Sequence, residues 1–265
     1  MQLTLYQVDA FASQLFTGNP AAVCLLTQWY DDSFLQAIAA ENNLSETAFA
    51  VKNGPRYQLR WFTPTREVDL CGHATLACAY VLFNEMNIEA AAVEFDTRSG
   101  VLCVTRDNEC LDLRLPLQAL EPAELPEVLR LEFGNKIIDY YQGDDCVVLL
   151  QHENDVIEAC PNLERLSSLP ARGVSISAAA SNFDFVSRFF APQSGIDEDP
   201  VTGSSFSYLA PIWGHRMNKT RLHAKQVSSR GGEVYCIVET QSIRVQGQCV
   251  MYLKGTLDLP DAIVR

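Results

Sequence analysis

The chain has 265 residues, 48% of them hydrophobic and 20% charged, which suits one large or two ordinary globular domains and excludes a disordered chain. A formal net charge of −13, with no basic run, excludes a general nucleic-acid surface, because phosphate binding relies on clustered Lys and Arg. Nine Cys without CxxC spacing and four His, at 73, 152, 215 and 223, match no zinc pattern; reduced thiols in a cytoplasmic protein without a metal are expected. The first nine residues lack the basic and apolar regions of a signal peptide. No apolar run approaches the roughly 18–20 residues that span a bilayer, so no membrane partner is expected.

In chain order, residues 3–10 read as an opening strand, followed by a loop carrying Thr17-Gly18-Asn19-Pro20. Asp31, Asp32 and Ser33 supply caps for a helix with Phe34, Leu35 and Ile38 on its apolar face. Residues 43–51 read as a turn entering a strand, and 57–62 as a second strand stopped by Thr63-Pro64-Thr65. Residues 72–86 have helical length and no polar face, so this helix is expected to be buried. Strands broken at Arg98-Ser99-Gly100 and Asp107-Asn108 follow. Pro116, Pro122 and Pro126 among acidic residues then mark an interdomain linker.

The second half repeats the outline. It predicts a helix near 127–133, strands near 136–150, a short helix around 161–168, strands near 173–179 and 183–190, a loop over 191–202 and an apolar helix over 203–213. Strands near 221–228, 233–239 and 243–253 close it, with Arg230-Gly231-Gly232 as a hairpin turn. The fold class is therefore α+β: two domains, 1–116 and 117–249, each of strands wrapped around one buried helix. A C-terminal strand within about 250–265 is expected to complete the first.

Two segments carry the functional signal, Leu70-Cys71-Gly72-His73-Ala74-Thr75 and Glu198-Asp199-Pro200-Val201-Thr202-Gly203-Ser204. Each places a polar residue at a glycine-bearing turn before an apolar helix. The free N–H groups and positive dipole end of such a helix suit a carboxylate. Gly72, Gly203 and Ser204 are thus candidate anion-binding positions for one small acidic substrate. Glu46 enters the apolar run Ala48-Phe49-Ala50-Val51, where lost hydration favours its neutral form and fits it for proton transfer; the alternative is an exposed Glu opening a strand. His73 can donate or accept a hydrogen bond near the helix start, where the dipole disfavours its cation, or it can simply cap the helix. Asp199 is forced extended by Pro200 and serves either as an acid or as a helix-entry turn. Cys71 reads as a small buried residue, and a two-thiol mechanism fails because the second turn offers Asp199 and no Cys.

Taken together, Tyr6–Phe11, Phe16–Val23, Asn43–Phe49, Arg60–Pro64, Glu67–Thr75, Phe185–Pro192, Glu198–Ser204 and Ser229–Gly232 resemble the PhzF-like (phenazine-biosynthesis-like) family, whose fold is that of diaminopimelate epimerase. The resemblance runs from residue 6 to residue 232. It implies two epimerase-like domains, each a curved, mostly antiparallel sheet around a central helix, with the active site in the cleft between them. It implies a homodimeric, cofactor-independent isomerase of a small carboxylate-bearing metabolite. Within it Glu46 matches the general acid/base, and His73, Asp199 and Ser204 match residues that hold substrate and assist proton movement. Asn19 and the Gly72 and Gly203 backbones match the substrate-binding shell. One difference is Ser205-Phe206, where the family often has a small residue followed by histidine; it puts an aromatic near the expected pocket. Two other readings stand beside this one: a thiol racemase using Cys71, and a non-catalytic binding protein that kept the fold.

Overall fold

The structure, a computed structural model, describes residues 1–259. Contacts divide the chain into two compact units, Met1–Arg114 with the chain from Gln246 onward, and Leu115–Val245.

Unit 1 begins with β1 (Gln2–Ala10), β2 (Asn19–Leu26), α1 (Asp32–Asn42), β3 (Glu46–Asn53), β4 (Arg56–Phe62) and β5 (Glu67–Val68). It continues with α2 (Gly72–Asn84), β6 (Ala92–Thr97), β7 (Gly100–Asp107) and β8 (Cys110–Pro116). Strands β1 and β2 are antiparallel, and β2 pairs parallel with β3 across α1. Strand β4 is antiparallel to β3 and to β5, and pairs parallel with β6 across α2. Hairpins β6–β7 and β7–β8 follow. The two parallel joints are the two places where a helix carries the chain over the sheet, since a parallel pair cannot be closed by a tight turn.

Helix α2 is buried on nearly every side because Ala74, Leu76, Ala77, Cys78, Ala79, Val81, Leu82 and Phe83 leave no solvent stripe. It packs against β1, β2, β3 and β7. Helix α1 lays Leu35, Ile38 and Ala39 against Cys24, Phe49 and Phe62. The first six residues of β3 are buried without alternation, as strands covered on both faces must be. Leu76→Ala, at a fully buried site on α2, is expected to cost about 3 kcal/mol, read as a lower denaturant midpoint at unchanged slope.

Unit 2 contains β9 (Glu121–Pro122), α3 (Glu127–Phe133), β10 (Ile137–Gln142), β11 (Cys146–Leu150), α4 (Glu153–Ile157), α5 (Leu163–Leu166) and β12 (Val174–Ala179). Then come β13 (Phe185–Ala191), β14 (Ile196–Asp199), α6 (Phe206–Met217), β15 (Arg221–Gln226) and β16 (Gly232–Val238). Its pairing repeats that of unit 1 step for step. β10–β11 is antiparallel, β11–β12 parallel across α4 and α5, and β12–β13 antiparallel. β13–β14 is antiparallel, β13–β15 parallel across α6, and β15–β16 antiparallel. In this correspondence β1, β2, β3, β4, β5 and α2 answer to β10, β11, β12, β13, β14 and α6.

The structure differs from the expected elements in five places. Asn19 and Pro20 open a strand rather than ending a loop. The loop expected over 191–202 contains β14, and α4 was not foreseen. Helix α6 runs on to Met217 through Pro211. Proline cannot supply the N–H that would bond the Ser207 carbonyl one turn back, and the Gln118 N–H takes that acceptor instead. The strand expected over 243–253 is two strands, β17 (Ser242–Gly247) and β18 (Cys249–Asp258), the second antiparallel to β1 in unit 1. Residues 260–265 of the expected C-terminal strand lie outside the described residues.

Candidate active site

In unit 1 the chemistry gathers where three elements start. Gly18 has φ +70°, and a Cβ there would meet the Ala10 carbonyl oxygen at 2.2 Å, so the turn that delivers Asn19 to the head of β2 needs glycine. The parallel register sets Ala21 of β2 beside Glu46, the first residue of β3. His73 is the second residue of α2, whose N-terminus has no side-chain cap.

His73 Nε2 lies 3.1 Å from Glu46 Oε2. On the other side of the ring, Nδ1 is 3.2 Å from Asn19 Nδ2 and 3.5 Å from Cys71 Sγ. Glu46 is 9% and His73 3% exposed. The approach of Glu46 Oε2 to His73 Nε2 is close but not aligned as a hydrogen bond, and neither buried atom has another hydrogen-bond partner. Two shielded polar atoms left unsatisfied are costly unless a ligand or water completes them. Asn19 can serve either charge state of the ring: its Nδ2–H donates to a bare Nδ1, and with the amide rotated its Oδ1 accepts from a protonated one.

Burial works against a charged His73, yet Cys71 and Glu46 together outweigh it and hold the imidazole well above its ordinary pKa. The Cys71 contribution requires a thiolate. Burial pushes the Cys71 thiol up to about 11, with the Glu46 carboxylate adding to the rise, so at neutral pH the sulfur is a thiol. The helix dipole that disfavours a His73 cation is opposed by the Glu46 carboxylate 3.1 Å from Nε2, which favours it. Cys71, read from sequence as a bystander, is in contact with the ring. Its raised pKa argues against a nucleophilic or proton-abstracting thiolate. With iodoacetamide at pH 7.5, exposed Cys160 is expected to be alkylated and buried Cys71 spared, as peptide mass analysis would show.

The ligand atoms of Glu46, Cys71 and His73 lie within 4.8 Å of one another, a metal-capable trio assembled from separate elements and invisible to sequence spacing. The ring, however, turns Nε2 to Glu46 and Nδ1 to Cys71.

In unit 2, Asp199 ends β14 and is 9% exposed. Its carboxylate accepts from the Thr202 hydroxyl, and its carbonyl accepts from Gln226 Nε2 at 2.6 Å. The Thr202 N–H in turn donates to Gln226 Oε1 at 2.8 Å. Gln226, fully buried at the end of β15, thus clamps the turn that presents Asp199, and sequence reading missed it. Gly203 opens a short 3-10 turn leading into α6, and Ser204 Oγ accepts from Arg172 Nη2 at 3.1 Å. Phe206, expected near the pocket, is fully buried, with its ring 6.1 Å from that of Phe185.

Among the described residues, no helix is long and apolar enough to cross a membrane. The family model for phenazine biosynthesis-like proteins matches residues 8–255. An uncharacterized isomerase of Pseudomonas aeruginosa is 47% identical over 259 residues, covering 98% of this chain and all of the relative. A crystal structure of a phenazine biosynthesis protein of the PhzF family from Enterococcus faecalis superposes with a TM-score of 0.94 at 44% identity, over 98% of this chain and 100% of that one. A probable proline racemase from Agrobacterium radiobacter, solved with bound carbonate, shares the fold alone, with a TM-score of 0.67 at 10% identity over 98% and 93% of the two chains. The two-fold repeat of strands around one buried helix is therefore an epimerase-type fold, and the chain belongs to the phenazine biosynthesis-like (PhzF) family of isomerases.

Proposed function

We propose that the protein isomerises a small carboxylate-bearing metabolite by acid–base proton transfer, with Glu46 as the base and then the acid. The observation that carries this reading is the pair of buried, unsatisfied atoms Glu46 Oε2 and His73 Nε2, 3.1 Å apart. A base must be shielded from bulk water without being locked in an aligned hydrogen bond, and Glu46 Oε2 meets both conditions.

In the first step Glu46 takes the proton from a carbon adjacent to an electron-withdrawing group, and the C–H electron pair moves into that conjugated system. In the second, the carboxylic acid so formed, or a second acid, returns a proton to a different carbon or to the opposite face. The product is a shifted double bond or an inverted centre, and no net electron is gained or lost. Imidazolium at His73 lowers the cost of the negative charge that develops on the substrate. The uncapped first amides of α2, at Gly72 and His73, are assigned to an anionic group of the substrate. Asn19 sets the orientation of the imidazole.

The test is isotope uptake. Small unsaturated and α-substituted carboxylic acids incubated with the protein in D2O are expected to gain deuterium at the carbon next to the activating group. A panel in which none exchanges above the buffer rate would sink the proposal.

A further inference from the structure

The repeat in topology locates a second constellation. In unit 1 the candidate site is made at three positions: the head of β2 (Asn19), the head of β3 (Glu46) and the start of α2 (His73). The corresponding positions of unit 2 are the heads of β11 and β12 and the entry to α6. There the chain places Asp145, immediately before β11, Arg172, two residues before β12, and Ser204 on the turn into α6. These three are also bonded together. Arg172 Nε donates to Asp145 Oδ1 at 2.9 Å, and Nη2 donates both to Asp145 Oδ2 and to Ser204 Oγ. The hydroxyl of Tyr208, one turn into α6, donates to Asp145 Oδ2 at 2.9 Å and fixes the carboxylate from the other side.

The inventory of donors decides what this corner can bind. Asp145 is completely buried, and both its oxygens are occupied. It therefore serves to lock the guanidinium. Burial works against the charge on Arg172, and the Asp145 carboxylate more than restores it, keeping the pKa above the ordinary arginine value. Nη2 spends its two hydrogens on Asp145 and Ser204. Nη1 has no partner among the described residues, and the Arg172 side chain is 37% exposed. Ser204, 5% exposed, accepts from Arg172 through Oγ, so its own hydroxyl proton has no acceptor and is left to donate. The corner offers three donors, two N–H bonds of Nη1 and one O–H, on a guanidinium that Asp145 pairs and the Asp199 carboxylate also influences.

We propose that Arg172 and the Ser204 hydroxyl form the carboxylate anchor of the enzyme, with Asp145 and Tyr208 as the residues that position Arg172. Where unit 1 carries a base at the head of its third strand, unit 2 carries a cation at the head of the equivalent one. This inference rests on the substrate being a carboxylate, as in the function proposed above, but needs no turnover to test.

The experiment measures dissociation constants for benzoate against benzamide and malonate against malonamide by calorimetry, on the full-length protein. The wild type is expected to prefer each acid by roughly tenfold or more, the scale of one charge-assisted hydrogen bond. Arg172→Gln is expected to erase that preference while leaving amide binding unchanged, an effect that a merely structural role would not produce. Ser204→Ala, which leaves the Arg172–Asp145 pair intact and guards against a misfolded arginine variant, is expected to lower the acid preference several-fold. A wild type that binds acids no better than amides, or an unaltered preference in Arg172→Gln or in a folded Ser204→Ala, overturns the anchor. Acid binding without any deuterium exchange overturns the isomerase reading and leaves the anchor standing.

Discussion

Glu46→Gln is expected to reduce turnover by about a thousandfold or more, the upper range for loss of a positioned general base, while ligand binding changes little. Gln has nearly the shape of Glu, so the packing at the head of β3 is kept, but its amide cannot accept a proton from carbon. Loss of stability should be slight. At 3.1 Å from the new amide, His73 no longer faces a carboxylate. It responds by releasing its proton, which at pH 7 costs well under about 1 kcal/mol for a group whose ordinary pKa is about 6.5. Deuterium uptake by a responsive carboxylic acid, followed by NMR in wild type and variant, reads the chemical step directly, and calorimetry on the same ligand reads binding. Loss of binding and exchange together would mean that Glu46 holds the substrate rather than working on it. Unchanged exchange would remove the residue from the mechanism.

The parts of this site visible in the sequence are those whose chemistry coincides with a break in pattern. Gly72 and Gly203 stand at the entry to apolar helices, and Glu46 interrupts an apolar run, so composition alone marks the elements that carry them. The buried helix α2 was legible for the same reason, since a segment without a polar face has only one place to go. Contacts between distant segments were not legible. Cys71 looked like core because thiols usually are core, and nothing local says that its sulfur meets the imidazole two residues on. Arg172 sits in an ordinary loop sequence, Ala171-Arg172-Gly173, and becomes informative only when parallel pairing of β11 with β12 brings it beside Asp145. Gln226 is a polar residue at the end of a strand, a position usually solvated, and its clamp on Asp199 and Thr202 exists only in three dimensions.

His73→Gln should be the more damaging of the two substitutions for stability, although the pair it breaks is the same. Removing the imidazole leaves Glu46 as a buried carboxylate with no counter-charge, a loss of about 3–5 kcal/mol when one partner of a buried pair is deleted. Adding Glu46→Gln to His73→Gln should recover most of that loss, a coupling that denaturant unfolding of the four proteins would measure. The wild type carries a pH dependence of its own. Its His73 titrates above its ordinary value when folded, so the stability it contributes is fully present below about pH 6.5, where both states hold the proton. That contribution declines as the pH rises, because the unfolded chain releases the proton first, and it is gone once the pH passes the folded value. His73→Gln abolishes this descending limb. If wild type and variant lose stability in parallel between pH 6 and 9, the imidazolium–carboxylate pair is not what holds the two side chains together, and His73 acts as a neutral hydrogen-bond partner.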